Sequence, residues 1–170
     1  MSALASINLS VDLRIADPRW DEALPNFDVL AERALEHGAA VVGIDGEVSV
    51  LAADATEMQA LNSRWRGLDK PTDVLSFPSA GPEIPGQPRH LGDIAVGFET
   101  ALRDAKAMNR PFEAHISHLL IHGFLHLIGY DHIDQRDAAV MEPLEAKILA
   151  GLGWPDPYAA GPYAAGEDEG

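Results

Sequence analysis

Three histidines set the tightest constraint on how this chain can fold. The segment reads His122-Gly123-Phe124-Leu125-His126-Leu127-Ile128-Gly129-Tyr130-Asp131-His132. His122 and His126 are four residues apart, so on a helix their rings leave one face, one turn apart. Two imidazoles so placed reach a single ion at about 2.0–2.1 Å. Gly129 accepts the left-handed conformation that a helix C-cap needs and ends the helix. The chain then turns back, and His132 supplies a third ligand. Seven histidines in 170 residues would produce these offsets by chance only about 1% of the time. The competing reading is a set of helix histidines satisfied by backbone carbonyls. The helix-stopping glycine lies just where the third ligand must fold back, and that favours the metal.

The chain has no cysteine, so a thiolate site is excluded and any transition metal rests on His, Asp or Glu. Three neutral nitrogens suit zinc, with nickel or copper also fitting. Three protein ligands leave a fourth position for water, as in catalytic zinc sites. His118, four residues before His122, is read as a supporting or buried polar residue that could in principle ligate. His37 and His90 read as incidental. The same histidine spacing occurs in metzincin proteases, where the residue after the first histidine is the glutamate general base. Here it is Gly123, which disfavours peptide hydrolysis by that route. Phosphodiester cleavage leans more on stabilising charge, for which a metal and an arginine suffice.

Net charge is −15, yet residues 64–110 hold seven of the twelve lysines and arginines. A nucleic-acid binder usually carries a basic footprint, and only this central stretch could provide one. No apolar run approaches the ~20 residues that span a bilayer. The N-terminus lacks a basic region followed by a long apolar stretch, so a cytoplasmic location is expected.

The rest of the pattern is mixed. Ser6–Asp12 alternates with period two and predicts a strand, as do Glu47–Ala53, Asp73–Phe77 and Leu91–Val96. Helices are predicted from Pro25-Asn26 to His37 with Gly38 as the stop, and from Asp54 to Ser63 with Met58, Leu61 and Trp65 inward. Further helices are expected over Glu99–Met108, from Pro111 to Gly129, and over Arg136–Leu152. Pro78–His90, with four prolines and two glycines, reads as a loop. Gly153–Gly170 reads as a mobile tail. The expected fold class is α+β, a mixed four-stranded sheet with helices packed on it.

Arg66 is the candidate partner of the metal, because guanidinium presents a planar fork that matches phosphate oxygens. It lies in Leu61-Asn62-Ser63-Arg64-Trp65-Arg66, followed by Gly67-Leu68-Asp69 and Lys70-Pro71-Thr72-Asp73-Val74-Leu75-Ser76-Phe77-Pro78. Together with His122–His132, Leu91-Gly92-Asp93-Ile94 and Asp156-Pro157-Tyr158, these motifs resemble the YbeY family of bacterial endoribonucleases, from about Ile7 to Tyr158.

That resemblance implies a single-strand-specific, metal-dependent endoribonuclease acting in 16S rRNA 3′-end maturation and ribosome quality control. Zinc would sit on His122, His126 and His132, and Arg66 would contact phosphate. A cleft walled by the sheet and the histidine helix would hold single-stranded RNA. A ribosomal small-subunit protein and an assembly GTPase are the implied partners, with Asp93 either a partner contact or a turn cap. Asp131 either orients a histidine or faces water. Thr72, Asp73 and Ser76 either line the cleft or serve structure. Residues 1–155 would be one hydrolase domain and 156–170 a mobile acidic tail. Two other readings stand beside it: a zinc metallopeptidase with an unconventional base, and a non-catalytic ribosome-assembly factor whose zinc is closed by a fourth protein ligand.

Overall fold

A computed structural model of the chain describes residues 8–82, 84–130 and 135–159, with only the backbone given at 135–137. Four strands form the expected mixed sheet: β1 Leu9–Ile15, β2 Gly46–Ala53, β3 Val74–Pro78 and β4 His90–Gly97. Their order is β1-β2-β4-β3, with β1–β2 and β2–β4 parallel and β3–β4 antiparallel. Pro78 closes β3, an edge strand that tolerates a missing N–H.

Strand alternation divides the sheet into two faces. Val48, Val50 and Ala52 of β2 face the main core, with Ile94 and Val96 of β4. Against that face pack α2 (Phe27–Val42) and α5 (Phe112–Leu127), and α6 (Gln135–Gly151) packs on those two helices. Ala53, Leu75 and Ala95 point the other way, where Met58 of α3 (Ala55–Arg66) covers them. A short helix α1 (Arg19–Ala23), not predicted from the pattern, carries the fully buried Trp20. Its indole stacks on Phe27 at 5.0 Å and donates to the carbonyl of Ala53 at 3.0 Å. Helix α4 (Phe98–Ala107) leads directly out of β4.

Three local expectations are corrected. Gly38 does not stop α2, which continues to Val42 and is capped by Gly43 in the left-handed conformation. Gly38 instead lets α2 approach α5: a Cβ there would sit 3.4 Å from the Phe124 ring. Trp65 does not point inward but is 59% exposed, because Met58 and Leu61 already complete the contact of α3 with the sheet. The first strand lies a few residues later than Ser6–Asp12, beginning at Leu9. By contrast, α3 starts as expected, with the Asp54 carboxylate accepting from the N–H of Glu57 at 2.8 Å.

Candidate metal centre

Helix α5 is almost wholly buried, so its polar residues must find partners inside the fold. Four of them, His115, His118, His122 and His126, recur at offsets of three and four and form one stripe along the helix. The helix gives way at Ile128. Gly129 has φ +106°, which a side chain would resist, and its N–H bonds to the carbonyl of His126 at 3.2 Å.

The rings of His122 and His126 meet, with centroids 4.5 Å apart and their Nε2 atoms 3.1 Å apart. On its other side, His122 Nδ1 lies 2.6 Å from Glu145 Oε2. Glu145 belongs to α6 and is fully buried. Burial pushes its carboxyl up, but hydrogen bonds from His118 and His122 outweigh that and hold it below the usual carboxylate range. A carboxylate can only accept, so Nδ1 of His122 donates to it, and Nε2 is the nitrogen turned toward His126. Two nitrogens ligating one tetrahedral ion at the usual lengths stand about 3.3 Å apart. The observed spacing, with Nε2 of each ring turned toward the other, fits a shared metal. His132 lies outside the described residues, as does Asp131.

Glu145 gathers more than His122. The hydroxyl of Tyr158 donates to its Oε1, and His118 Nε2 stands 3.4 Å from the same oxygen. His118 Nδ1 in turn accepts from Arg110 at 3.1 Å, and Arg110 also reaches the carbonyl of Pro157 at 3.4 Å. His118 therefore supports the site through Glu145. Pro157 and Tyr158 are thus bonded to the site's own residues; residues 160–170 lie outside the described residues.

The supporting role of Glu145 escaped the sequence reading, although a signal existed. Met141, Glu145, Ile148 and Leu149 share one helical stripe, and all four are buried. A lone carboxylate in an apolar stripe calls for a buried partner.

A second set of donors sits farther along the stripe. Asp73, Asp104 and His115 each bring an atom within 4.8 Å of the other two and could hold a metal ion. Burial and the Asp104 charge push the Asp73 carboxyl up. Burial, with the neighbouring Arg110 charge, lowers His115 to about 3, so its ring is neutral. However, His115 Nδ1 accepts from Arg110 at 3.4 Å, which leaves the hydrogen on Nε2. Nε2 is buried without a hydrogen-bond partner, but the Arg110 charge beside the ring opposes a cation, so this set is the poorer fit.

Gly123, where a metzincin has its glutamate, faces the sheet. A Cβ there would stand 2.9 Å from Ser76 Oγ and 3.0 Å from Ile94 Cγ2. Ser76 also donates to the Gly123 carbonyl at 3.1 Å. Close packing of α5 on β3 and β4 thus demands glycine, and a larger residue would meet the sheet.

Arg66 ends α3 and is exposed. It lines a groove of about 990 Å³ with Trp65, Phe77, Arg14, Ser49 and Asp93. Helix α3 contributes Leu61, Trp65 and Arg66 to this groove, and no residue of α5 lines it. Leu51, Asp93 and Phe77 alternate with the core residues of their strands and so open onto the face away from α5. Neither His122 nor His126 is among the groove's lining residues. Ser76, which lines the groove and bonds to the residue after His122, connects the two places.

Comparisons with known proteins converge. The family model described as Endoribonuclease YbeY matches residues 15–153. The chain is 50% identical over 145 residues to the Endoribonuclease YbeY of Bradyrhizobium diazoefficiens, covering 81% of this chain and 79% of that protein. It is 47% identical over 157 residues to the protein of that name from Bradyrhizobium sp., covering 88% and 92%. The solution structure of TM1509 from Thermotoga maritima is similar with a TM-score of 0.54 and 27% identity, covering 82% of this chain and 86% of that one.

Proposed function

Because the chain belongs to the Endoribonuclease YbeY family, a group of RNA-cleaving hydrolases, we propose that it cuts single-stranded RNA with a zinc ion held by His122, His126 and His132. The observation that carries this reading is the pair of Nε2 atoms 3.1 Å apart, with His122 fixed from behind by the buried Glu145. A zinc ion so held would supply Lewis acidity toward a phosphate oxygen and toward water. Glu145 keeps His122 in the ligating tautomer, and Tyr158 and His118 hold Glu145 in place. Arg66, exposed at the groove, pairs with phosphate oxygens and offsets the charge that develops during cleavage.

The biological assignment follows the family: 16S rRNA 3′-end maturation and ribosome quality control in the cytoplasm, with a small-subunit ribosomal protein and an assembly GTPase as partners. Among the described residues, no helix is long and apolar enough to cross a membrane. Residues 1–155 would form the catalytic domain, with Pro157 and Tyr158 just beyond it bonded back to Arg110 and Glu145. The metallopeptidase reading is weaker, since the packing around Gly123 leaves no room for a base there.

The test is digestion of a labelled single-stranded RNA, beside a casein digestion, each with and without a chelator. RNA cleavage that a chelator abolishes and zinc restores is expected. Chelator-sensitive casein digestion with intact RNA would refute the proposal.

A further inference from the structure

Trp65 is the largest exposed side chain in the groove that bears Arg66. It is 59% exposed, while Trp20 is fully buried. Burying an indole is worth much to a fold, so one left in water beside a groove is an expense the fold does not need. Its surroundings hold the ring and cover only part of it. Phe77 meets it edge-on at 6.3 Å between centroids, and the Arg64 guanidinium lies 4.9 Å from its centroid. Trp65 and Arg66 are consecutive, and both line the groove. An aromatic face beside cationic side chains is the combination that takes a base together with its phosphate.

We infer that Trp65 is a stacking platform for one unpaired base of the RNA, and that it helps set the preference for single strands. The inference rests on the reading of this chain as an RNA-cutting enzyme. A base inside a duplex has both faces covered by its neighbours, so only an unpaired base can offer a face to the indole. Stacking tolerates any of the four bases, because each has a π-face. Arg66 then meets the backbone next to the stacked base.

The test is a cycle between the indole and the base. Wild type, Trp65→Ala and Trp65→Phe are assayed on one single-stranded RNA and on copies carrying an abasic nucleotide at successive positions near the cut. KM should rise about tenfold in Trp65→Ala, more than kcat falls, and Trp65→Phe should recover most of it. One abasic position should raise the wild-type KM by a similar factor and add little in Trp65→Ala. An unchanged KM in Trp65→Ala, or an abasic penalty that persists there, overturns the inference while cleavage itself stands. Wild type that leaves the intact RNA uncut overturns the functional reading instead. Zinc content and thermal melting of each variant show whether the fold and the histidine site survive.

Discussion

His122 and Glu145 meet across two helices in the histidine site: Nδ1 of the first lies 2.6 Å from Oε2 of the second, which is fully buried. The pair joins two helices and sets which ring nitrogen faces His126. A carboxylate behind a ligating histidine raises its basicity and fixes its orientation. Glu145→Gln keeps the shape but loses the charge. Zinc affinity is predicted to fall about 10- to 100-fold, read by competition with a chromophoric chelator. Unchanged affinity would remove Glu145 from the site.

Arg66→Ala should lower the rate of RNA cleavage about 100-fold, the scale of a lost hydrogen bond to a charged group. Zinc content and melting temperature should hardly change, since Arg66 is exposed at a helix end. Arg66→Lys should recover little, because an ammonium lacks the planar fork. Full activity in the alanine variant would exclude the arginine.

Gly123→Ala tests the packing. The added methyl would meet Ser76 and Ile94 at about 3 Å, and α5 would have to move off the sheet. A loss of about 1–3 kcal/mol in stability is expected, measured by denaturant unfolding. A neutral effect would show that the close approach is not needed.

The chain is acidic, with a net charge of −15, so RNA binding should draw on few cations. The slope of log K against log salt is predicted to be shallow, and Arg66→Ala should reduce it by about 0.7. Titrating a fluorescent RNA at several salt concentrations gives the slope. No change in the variant would mean that Arg66 does not touch a phosphate.

What could be read without a structure was whatever local chemistry decides. The 122/126 pair, the stop at Gly129, the Asp54 cap and the four strands each rest on spacing within a few residues, and each is present. Misreadings arose where a partner distant in sequence decides. Gly38 looks like a helix stop but is a contact surface for Phe124. Trp65 fits the inward spacing of α3, yet the sheet beneath is already covered by Met58 and Leu61. Glu145 stands in an apolar stripe, and only the packing of α6 on α5 shows that it meets His122. The side of the sheet on which the groove opens depends on strand register, which spacing alone does not reveal.

Metal content tests the central claim most directly. Wild type and His126→Ala are purified alike, dialysed against zinc and then against metal-free buffer, and measured by elemental mass spectrometry. About one zinc per chain in wild type, and almost none in His126→Ala at an unchanged circular dichroism spectrum, is the predicted result. Equal zinc in the two proteins would contradict the account, because the ion would then lie somewhere other than between His122 and His126.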